Sequence, residues 1–294
     1  MTRLAGIELG GTKVIAVLGE GTAIVERVQR PLSAPVETLA WLRDQLADWH
    51  AAGPIDALGI ASFGPIGLDR ARADYGRLLV TAKPGWTGAD LLGGLRDAFA
   101  GPTALHTDVT AAALAEGRFG AARGCDDFAY MTVGTGIGVG IIVGGVPLAG
   151  LLHPEAGHLR MARLEGDDFP GNCPFHRDCI EGLAAGPAIA ARAGRPGATL
   201  ADDDAVWPFV IDALAQGCAA LLLTLSSERI VLGGGVINQR PWLVEKVARR
   251  TAEQLAGYLP YVTDRAPLAP AALGQDAGPT GALILAESAL AAAR

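Results

Sequence analysis

The chain has 294 residues, 50% of them hydrophobic and 19% charged, so it is long enough to bury one large core or two ordinary ones. Its net charge of -7 argues against a nucleic-acid surface, and its N-terminus lacks the basic and apolar regions of a signal peptide. The uncharged segment 128–152 is interrupted by seven glycines and Pro147, which favours paired strands over a membrane span, so we expect a soluble, cytoplasmic protein without a membrane partner.

The chain opens with a predicted strand, a glycine turn and a second strand. Residues 4–9 are followed by Gly10, Gly11, Thr12 and Lys13, and then by the apolar residues 14–18. The same order recurs later, where residues 128–133 lead through Gly134, Thr135 and Gly136 into the apolar residues 139–143. This repetition predicts two related halves.

Both glycine turns lead into strands, which distinguishes them from other phosphate loops. A P-loop and a Rossmann turn each open a helix, so neither motif fits. Two interpretations remain for each turn: a hairpin whose backbone N–H groups and threonine hydroxyl face an anion, or an ordinary tight hairpin.

Predicted strands and helices alternate between the two repeats. A strand at 55–61 ends in Ser62-Phe63-Gly64-Pro65, and a short strand at 103–107 leads into an alanine-rich helix at 109–118. Asp108 stands where that strand ends and that helix begins, at the mouth of an α/β sheet, where ligands bind and the helix dipole favours an ionised acid. The alternative is that Asp108 is a helix cap.

A cluster of cysteine and histidine follows the second repeat. Cys173, His176 and Cys179 form a C-x2-H-x2-C pattern, and His158 lies 15 positions before it. Together they make a four-ligand set suited to a structural, tetrahedral zinc ion. The alternatives are a Cys173–Cys179 disulfide, which reducing conditions disfavour, or a surface loop. Two carboxylates, Glu155 and Glu181, flank the ligands and suggest that the loop supports a polar ligand.

The remaining C-terminal segment is mainly helical by pattern. A helix over 182–192 is interrupted at Gly186-Pro187, and a strongly apolar helix covers 210–225. A strand at 229–232 ends in Gly233, Gly234 and Gly235, which would let the backbone approach an adenosine. Asn238 is predicted to cap the next helix, and an alanine-rich helix ends the chain.

Eight motifs in this order carry a resemblance to a known family. They are Gly6-Ile-Glu-Leu-Gly-Gly-Thr-Lys13, Ser62-Phe-Gly-Pro65, Lys83-Pro-Gly-Trp86, Thr107-Asp-Val109, Val133-Gly-Thr-Gly-Ile-Gly138, Glu155-Ala-Gly-His158, Cys173-Pro-Phe-His-Arg-Asp-Cys179 and Gly182-Leu-Ala-Ala-Gly-Pro187. From residue 6 to about residue 285, the chain resembles the ROK family of bacterial sugar kinases, and most closely its zinc-containing fructokinase branch.

The resemblance implies an α/β, two-domain actin/hexokinase-like (ribonuclease H-like) ATPase fold with a zinc-binding loop, and with sugar and ATP in the cleft. We expect an N-terminal domain at 1–116 and a C-terminal domain at 117–294, with a terminal helix at about 281–294 packed back on the first domain. The implied activity is ATP-dependent phosphorylation of D-fructose to fructose 6-phosphate, and the implied assembly is a homodimer.

The resemblance also implies residue roles. Asp108 is the expected catalytic base, and zinc is expected on His158, Cys173, His176 and Cys179. The expected sugar-binding residues are Gly64, Pro65, Thr107, Asp108, Glu155, His158 and Glu181. The residues expected to bind ATP and its magnesium ion are Glu8, Gly10, Gly11, Thr12, Lys13, Gly134, Thr135, Gly136, Gly186, Pro187, Gly233, Gly234 and Gly235, with Glu8 closest to Mg²⁺.

Three positions depart from the family pattern. Thr110 stands where asparagine is frequent, Gly67 where fructokinases often have a polar residue, and Gln275 begins a motif that often starts with Asp-Asn. These departures leave open a kinase for mannose, glucose or an N-acetylated hexosamine. A non-catalytic sugar sensor is a further alternative; repressors of this kind carry a helix-turn-helix before the first glycine loop, and only nine residues precede Gly10.

Overall fold

A computed structural model describes residues 2–294, except for the side chains of Thr263 and Asp264, and shows a mixed α/β fold with two five-stranded sheets in that range. The strands are β1 (Arg3–Leu9), β2 (Lys13–Glu20), β3 (Ala23–Pro31), β4 (Ala57–Ser62), β5 (Thr103–Thr107), β6 (Phe128–Val133), β7 (Ile137–Val143), β8 (Val146–Pro147), β9 (Arg229–Gly233) and β10 (Leu268–Pro270). The helices are α1 (Pro35–Ala51), α2 (Leu91–Leu95), α3 (Asp108–Phe119), α4 (Ile180–Ala184), α5 (Gly186–Ala193), α6 (Trp207–Leu225), α7 (Gly235–Gln239), α8 (Trp242–Leu255), α9 (Pro260–Arg265) and α10 (Ala277–Ala292).

The two sheets share one topology. In the first, β1 pairs antiparallel with β2 and parallel with β4, giving the order β3-β2-β1-β4-β5. In the second, β6 pairs antiparallel with β7 and parallel with β9, giving the order β10-β9-β6-β7-β8. The prediction of two related halves, each opening with a glycine hairpin, is therefore confirmed. The segment 128–152 forms paired strands, as its glycine content predicted.

The chain divides into two compact units. The first contains the chain up to Ala115, together with Ala149–His153 and Gln275–Arg294, and the second contains Glu116–Leu148 and Pro154–Gly274. In the first unit, α1 covers one face of the sheet and α10 covers the other. A Cβ on Gly59 of β4 would lie 1.8 Å from the carbonyl oxygen of Ala282, so a glycine is needed for α10 to pack this closely.

The second unit is built around α6. By length and composition this helix could cross a membrane, but Val210, Leu214 and Cys218 are fully buried among the apolar residues of the second sheet and of α8. Its hydrophobicity is that of a core helix, because burial on several sides removes the need for a polar face.

The prediction that Asn238 caps a long helix is wrong. Asn238 lies inside the short helix α7, where its N–H donates to the carbonyl of Gly234 at 2.9 Å. The long helix α8 begins only at Trp242, after Pro241. Gly234, with φ of +88°, turns the chain directly from β9 into α7, which ends at Gln239, so a separate helix follows it.

Candidate functional site

Three predicted segments meet at one edge of the first sheet. The last residues of β1, β4 and β5 lie side by side, with Leu9 paired to Ser62 and Ser62 paired to Thr107. Because these strands are parallel, the residues that follow them emerge at the same edge. The structure thus brings together the Gly10 turn, the Gly64-Pro65 segment and Asp108.

Asp108 is the first residue of α3, and it is half-buried. Its Oδ1 accepts a hydrogen bond from the N–H of Val109 at 2.9 Å. Burial raises the pKa of Asp108 to about 6, which outweighs the opposing effect of that hydrogen bond. Asp108 is therefore ionised at neutral pH, yet remains a much better proton acceptor than an ordinary aspartate.

Glu8, in β1, is the second acid at this edge. Burial, followed by the charge of Asp108, raises the pKa of Glu8 to about 7. Its Oε2 is buried and has no hydrogen-bond partner among the described residues. A Cβ on Gly278, in the first turn of α10, would lie 2.5 Å from Cδ of Glu8, so that glycine leaves the space for the carboxyl group.

The first glycine turn closes tightly. The N–H of Gly10 donates to the carbonyl of Lys13 at 3.0 Å, while Thr12 lies exposed at the tip. The ammonium of Lys13 lies 3.4 Å from Oε1 of Gln275, and the ammonium of Lys83 donates to the carbonyl of Gly11. The turn therefore has a lysine on the chain itself and a second one that reaches it from the Lys83-Pro-Gly-Trp86 motif.

Three predicted nucleotide segments meet in the second unit. The second turn closes through a 2.9 Å hydrogen bond from the N–H of Gly134 to the carbonyl of Gly136, with Thr135 exposed at its tip. The N–H of Gly186, which precedes Pro187 at the start of α5, donates to the carbonyl of Gly134 at 2.8 Å. The turn after β9 also packs here.

Glycine is required for steric reasons at two positions of this turn, Gly233 and Gly234. A Cβ on Gly234 would lie 2.5 Å from Oγ1 of Thr132, and one on Gly233 would lie 2.5 Å from the hydroxyl of Tyr130. A Cβ on Gly134 would lie 3.8 Å from the N–H nitrogen of Gly235, in ordinary contact. The predicted nucleotide residues of this unit therefore form one glycine-lined surface.

The four predicted zinc ligands also come together in the second unit. Their ligand atoms all lie within 4.8 Å of one another. Nδ1 of His158 lies 3.7 Å from Sγ of Cys173 and 3.5 Å from Sγ of Cys179, and Nδ1 of His176 lies 3.9 Å from Sγ of Cys173. All four cysteines of the chain are free thiols, so the structure has no Cys173–Cys179 disulfide.

Backbone geometry converges these ligands. Cys173 and Arg177 exchange two backbone hydrogen bonds of 3.1 and 3.0 Å, and Arg177 adopts a left-handed φ of 59° between His176 and Cys179. Gly182 packs beneath this turn, where a Cβ would lie 1.7 Å from the carbonyl oxygen of Arg177. The loop can adopt this conformation only because residue 182 has no side chain.

The two predicted sugar-binding carboxylates lie close to the metal cluster in sequence but differ in setting. Glu155 is exposed and begins a 3₁₀ turn in which its carbonyl accepts the N–H of His158 at 3.0 Å. Oε2 of Glu181 accepts the N–H of Ile137 at 3.0 Å, directly after the second glycine turn. Glu181, two residues after Cys179, therefore links the cysteine–histidine loop 173–179 to that turn.

The departures from the family pattern have local explanations. The hydroxyl of Thr110 lies 2.8 Å from that of Thr107, whose Oγ1 also accepts the N–H of Thr110 at 3.2 Å and so caps α3. A Cβ on Gly67 would lie 2.1 Å from the carbonyl oxygen of Asp74, which leaves no space for a polar side chain. Gln275 reaches Lys13, as described above.

The chain belongs to the ROK family, whose model matches residues 4–289. It is 42% identical to a fructokinase of Pediococcus pentosaceus over 290 residues, covering 98% of both chains. It is 38% identical to a fructokinase of Zymomonas mobilis, covering 95% of both. Among solved structures it is similar to the ROK hexokinase of Thermus thermophilus, with a TM-score of 0.79 and 28% identity, covering 99% of this chain and 100% of the other. These matches confirm the family and the hexokinase-like fold predicted from the eight motifs.

Two polar residues beside the predicted sites were assigned no site role from the sequence. Nε2 of the buried His153 accepts the N–H of Ile66 at 3.1 Å, next to the Gly64-Pro65 segment. Lys83 was quoted only as part of a family motif, although its ammonium contacts the first glycine turn. Neither contact has a sequence signal beyond the motif itself, because each joins residues far apart in the chain.

Proposed function

We propose that this protein is an ATP-dependent fructokinase that transfers the γ-phosphoryl group of ATP to O6 of D-fructose. The observation that carries the proposal is one edge of the first sheet. Asp108, with its raised pKa, follows β5 there, and β4 separates β5 from β1, which contains Glu8 and ends at the Gly10 turn. Fructose is the preferred sugar because fructokinases are 42% and 38% identical to this chain over nearly its whole length.

Asp108 is the proposed base. The oxygen of the sugar hydroxyl attacks the γ-phosphorus and forms a new O–P bond, while the bond from that phosphorus to the β,γ-bridging oxygen breaks. The hydroxyl proton passes to Asp108, and ADP leaves with the electron pair of the broken bond. A carboxylate with a pKa of about 6 is suited to this step, because it is ionised at neutral pH and still basic.

The two glycine turns are the proposed phosphate loops. We assign Gly10, Gly11, Thr12 and Lys13 of the first turn, and Gly134, Thr135 and Gly136 of the second, to the phosphates of ATP. Backbone N–H groups are suitable donors because they need no reorganisation during transfer. We assign Gly186, Pro187 and the turn Gly233–Gly235 to the adenosine, since their backbones approach one another without intervening side chains.

Glu8 fits a magnesium ion that accompanies ATP. Its buried Oε2 has no hydrogen-bond partner among the described residues. Burial and the charge of Asp108 raise the pKa of Glu8, so they disfavour its ionised form. A nearby cation would favour the ionised form and provide a partner for Oε2. Magnesium favours carboxylate and phosphate oxygens. When bound with ATP, the ion would neutralise phosphate charge; Glu8 would hold it or its coordinated water.

The cysteine–histidine cluster fits a structural zinc ion. With Zn–S of about 2.3 Å and Zn–N of about 2.0 Å, a tetrahedral site would separate sulfur from nitrogen ligands by roughly 3.5 Å. The three sulfur–nitrogen distances in the structure are 3.5, 3.7 and 3.9 Å. Two thiols and two imidazoles complete the coordination, so this zinc would not activate a water molecule.

Sugar recognition is assigned to the residues that the family resemblance implies. Glu155, His158 and Glu181 are the proposed partners of the sugar hydroxyls, together with Gly64, Pro65 and Thr107. Because the Cys173–Cys179 loop also fixes His158 and precedes Glu181, the zinc ion would hold these partners indirectly. Buried polar groups discriminate strongly among sugars, since a missing hydroxyl leaves them unpaired.

One observation favours a second candidate, a kinase for another hexose. Gly67 has no room for the polar side chain that fructokinases often carry there, which removes one contact of that family branch. Mannose is the first alternative, followed by glucose and N-acetylated hexosamines. The transfer chemistry is the same for all of them.

We extend the proposal to assembly and location. A homodimer follows from the family resemblance. A cytoplasmic location agrees with four free cysteines in one chain, because oxidising compartments favour disulfides between nearby thiols such as Cys173 and Cys179.

A sugar panel tests the substrate. ADP release would be measured with fructose, mannose, glucose, N-acetylglucosamine and N-acetylmannosamine at equal ATP and Mg²⁺. We expect the highest kcat/KM for fructose, with mannose second. A tenfold preference for glucose or an N-acetylated sugar would replace fructose as the substrate, while ADP release that no sugar stimulates would contradict the kinase assignment.

A further inference from the structure

The turn that carries Lys83 is anchored to the core of the first unit by Trp86. Trp86 is buried, its ring meets that of Phe63 edge to face at 5.3 Å, and its Nε1 donates to the carbonyl of Ser33 at 3.2 Å. The N–H of Trp86 donates to the carbonyl of Lys83 at 3.1 Å, and Gly85 adopts a φ of +77° that closes the turn. The backbone of Lys83 is thus fixed by a buried tryptophan three residues away.

The side chain of Lys83 crosses from this turn to the first phosphate loop. Its ammonium donates to the carbonyl of Gly11, and the N–H of Lys83 lies 3.4 Å from Oγ1 of Thr81. No carboxylate of the described residues forms an ion pair with Lys83. A lysine ammonium has three N–H donors, so one contact to Gly11 leaves two of them and the full positive charge available to a ligand.

A loop that binds phosphate gives this placement a chemical meaning. The backbone donors of the loop supply partial charges, whereas an ammonium supplies a full charge beside them. Positive charge near a transferred phosphoryl group accelerates transfer when it contacts the oxygens that gain charge in the transition state. The tether to Gly11 places the charge of Lys83 at this loop before ATP arrives.

We propose that Lys83 binds the γ-phosphoryl group during its transfer, as a charged donor that acts together with the first glycine turn. The inference rests on the kinase function proposed above. Lys83 retains its proton throughout: the sugar hydroxyl still gives its proton to Asp108, and ADP still leaves with the electron pair. The contribution of Lys83 is to stabilise the phosphoryl oxygens while the two O–P bonds exchange.

A purely structural role would have a different signature. If Lys83 only held the Gly11 carbonyl, its loss would loosen the loop and weaken the binding of ADP and ATP together. A residue that contacts the γ-phosphoryl group changes kcat instead, because ADP lacks that group. Lys83→Gln separates the two roles, since an amide can still donate to a carbonyl but carries no charge.

The experiment compares Lys83→Met, Lys83→Gln and Lys83→Arg with wild type, and uses Lys246→Gln on the exposed side of α8 as the matched charge control. We expect kcat to fall about 10² to 10³-fold in Lys83→Met and Lys83→Gln, as it does when an anion-stabilising donor is removed. The Kd values of ADP and fructose should stay within about threefold, Lys83→Arg should recover most of the lost kcat, and Lys246→Gln should match wild type.

Two results would overturn the proposal. The first is a Lys83→Met enzyme with kcat within about threefold of wild type. The second is a loss of activity matched by weaker ADP binding and restored by Lys83→Gln, which would make Lys83 a structural tether. Wild-type activity distinguishes these results from failure of the kinase function itself. If the protein is not a kinase, wild-type enzyme would release no ADP with any sugar, and both proposals would be wrong.

Discussion

At the scale of single residues, the two acids at one edge of the first sheet share a raised pKa but differ in their contacts. Burial raises the pKa of both, to about 6 for Asp108 and about 7 for Glu8, and the charge of Asp108 adds to the shift of Glu8. Asp108 begins a helix and has a backbone donor, whereas Oε2 of Glu8 has no partner among the described residues. We infer that Asp108 accepts a proton from the sugar and that Glu8 binds a cation or its coordinated water.

Asp108→Asn should abolish most of the activity without loss of fold. An amide keeps the size of the side chain but cannot accept the sugar proton, so kcat should fall about 10² to 10⁴-fold. Fructose affinity, measured by calorimetry, should change only a few-fold. Near-native turnover in this variant would remove Asp108 from the mechanism.

In the wild type, kcat/KM should fall about tenfold per pH unit below pH 6, where Asp108 becomes protonated.

Glu8→Gln should stabilise the metal-free protein at alkaline pH. The folded-state pKa of about 7 exceeds the ordinary value of 4.5, so the folded state binds more protons between these pH values. Stability from this group is therefore complete below about pH 4.5 and is lost as the pH rises through 7. The neutral amide avoids that loss, on the order of 2 kcal/mol after allowance for partial exposure.

Urea unfolding at pH 4.5 and pH 8, with metal removed, checks this prediction. Glu8→Gln should match wild type at the lower pH and exceed it at the higher one. Equal or lower stability at pH 8 would show that the charge of Glu8 is not destabilising, and would weaken its assignment to a cation.

At the scale of elements, the cysteine–histidine loop 173–179 is a short segment whose shape depends on few contacts. The backbone bridge between Cys173 and Arg177, and the close packing of Gly182 beneath it, bring four ligand atoms together without a regular helix or sheet. Burial raises the pKa of the Cys179 thiol to about 12. Zinc binding would therefore release protons as it converts buried thiols into thiolates.

Cys179→Ser should remove the metal and destabilise the loop. Protein purified without chelator should contain about one zinc per chain, by elemental analysis, and the variant should contain much less. Its Tm should fall by roughly 5 °C or more, because the cluster closes the loop between His158 and α4. Cys125→Ser is the matched control and should keep both the zinc and the Tm. Wild-type protein without zinc would contradict the metal assignment.

The elements also show what the sequence could and could not predict. Glycine followed by alternating apolar residues is a local signal, so both hairpins were predicted correctly, as were the strand before Asp108 and the helix that begins there. The break between α7 and α8 was missed, because Asn238 is a good cap residue by type and only the turn after β9 sets where the helix starts. The contacts of Lys83 with Gly11 and of Glu181 with Ile137 join distant segments, so no local pattern could show them.

At the scale of the whole molecule, two sheets of one topology carry different chemistry. The first unit contains the two acids and a glycine turn that two lysines contact, and the second contains the four predicted metal ligands and a surface lined by glycine. In each unit the hairpin between the first two strands of the sheet provides the proposed phosphate loop. The first unit thus carries the proposed base, and the second carries the proposed adenosine and metal sites.

The central claim, phosphoryl transfer from ATP to O6 of fructose, is tested most directly by identifying the product. ¹³C and ³¹P NMR of a reaction with stoichiometric ATP, Mg²⁺ and ¹³C-labelled fructose would report where the phosphate is attached. We predict equal amounts of ADP and fructose 6-phosphate, with phosphorus coupled to C6. Phosphate on another carbon, or ADP accompanied by inorganic phosphate and unchanged fructose, would contradict the account.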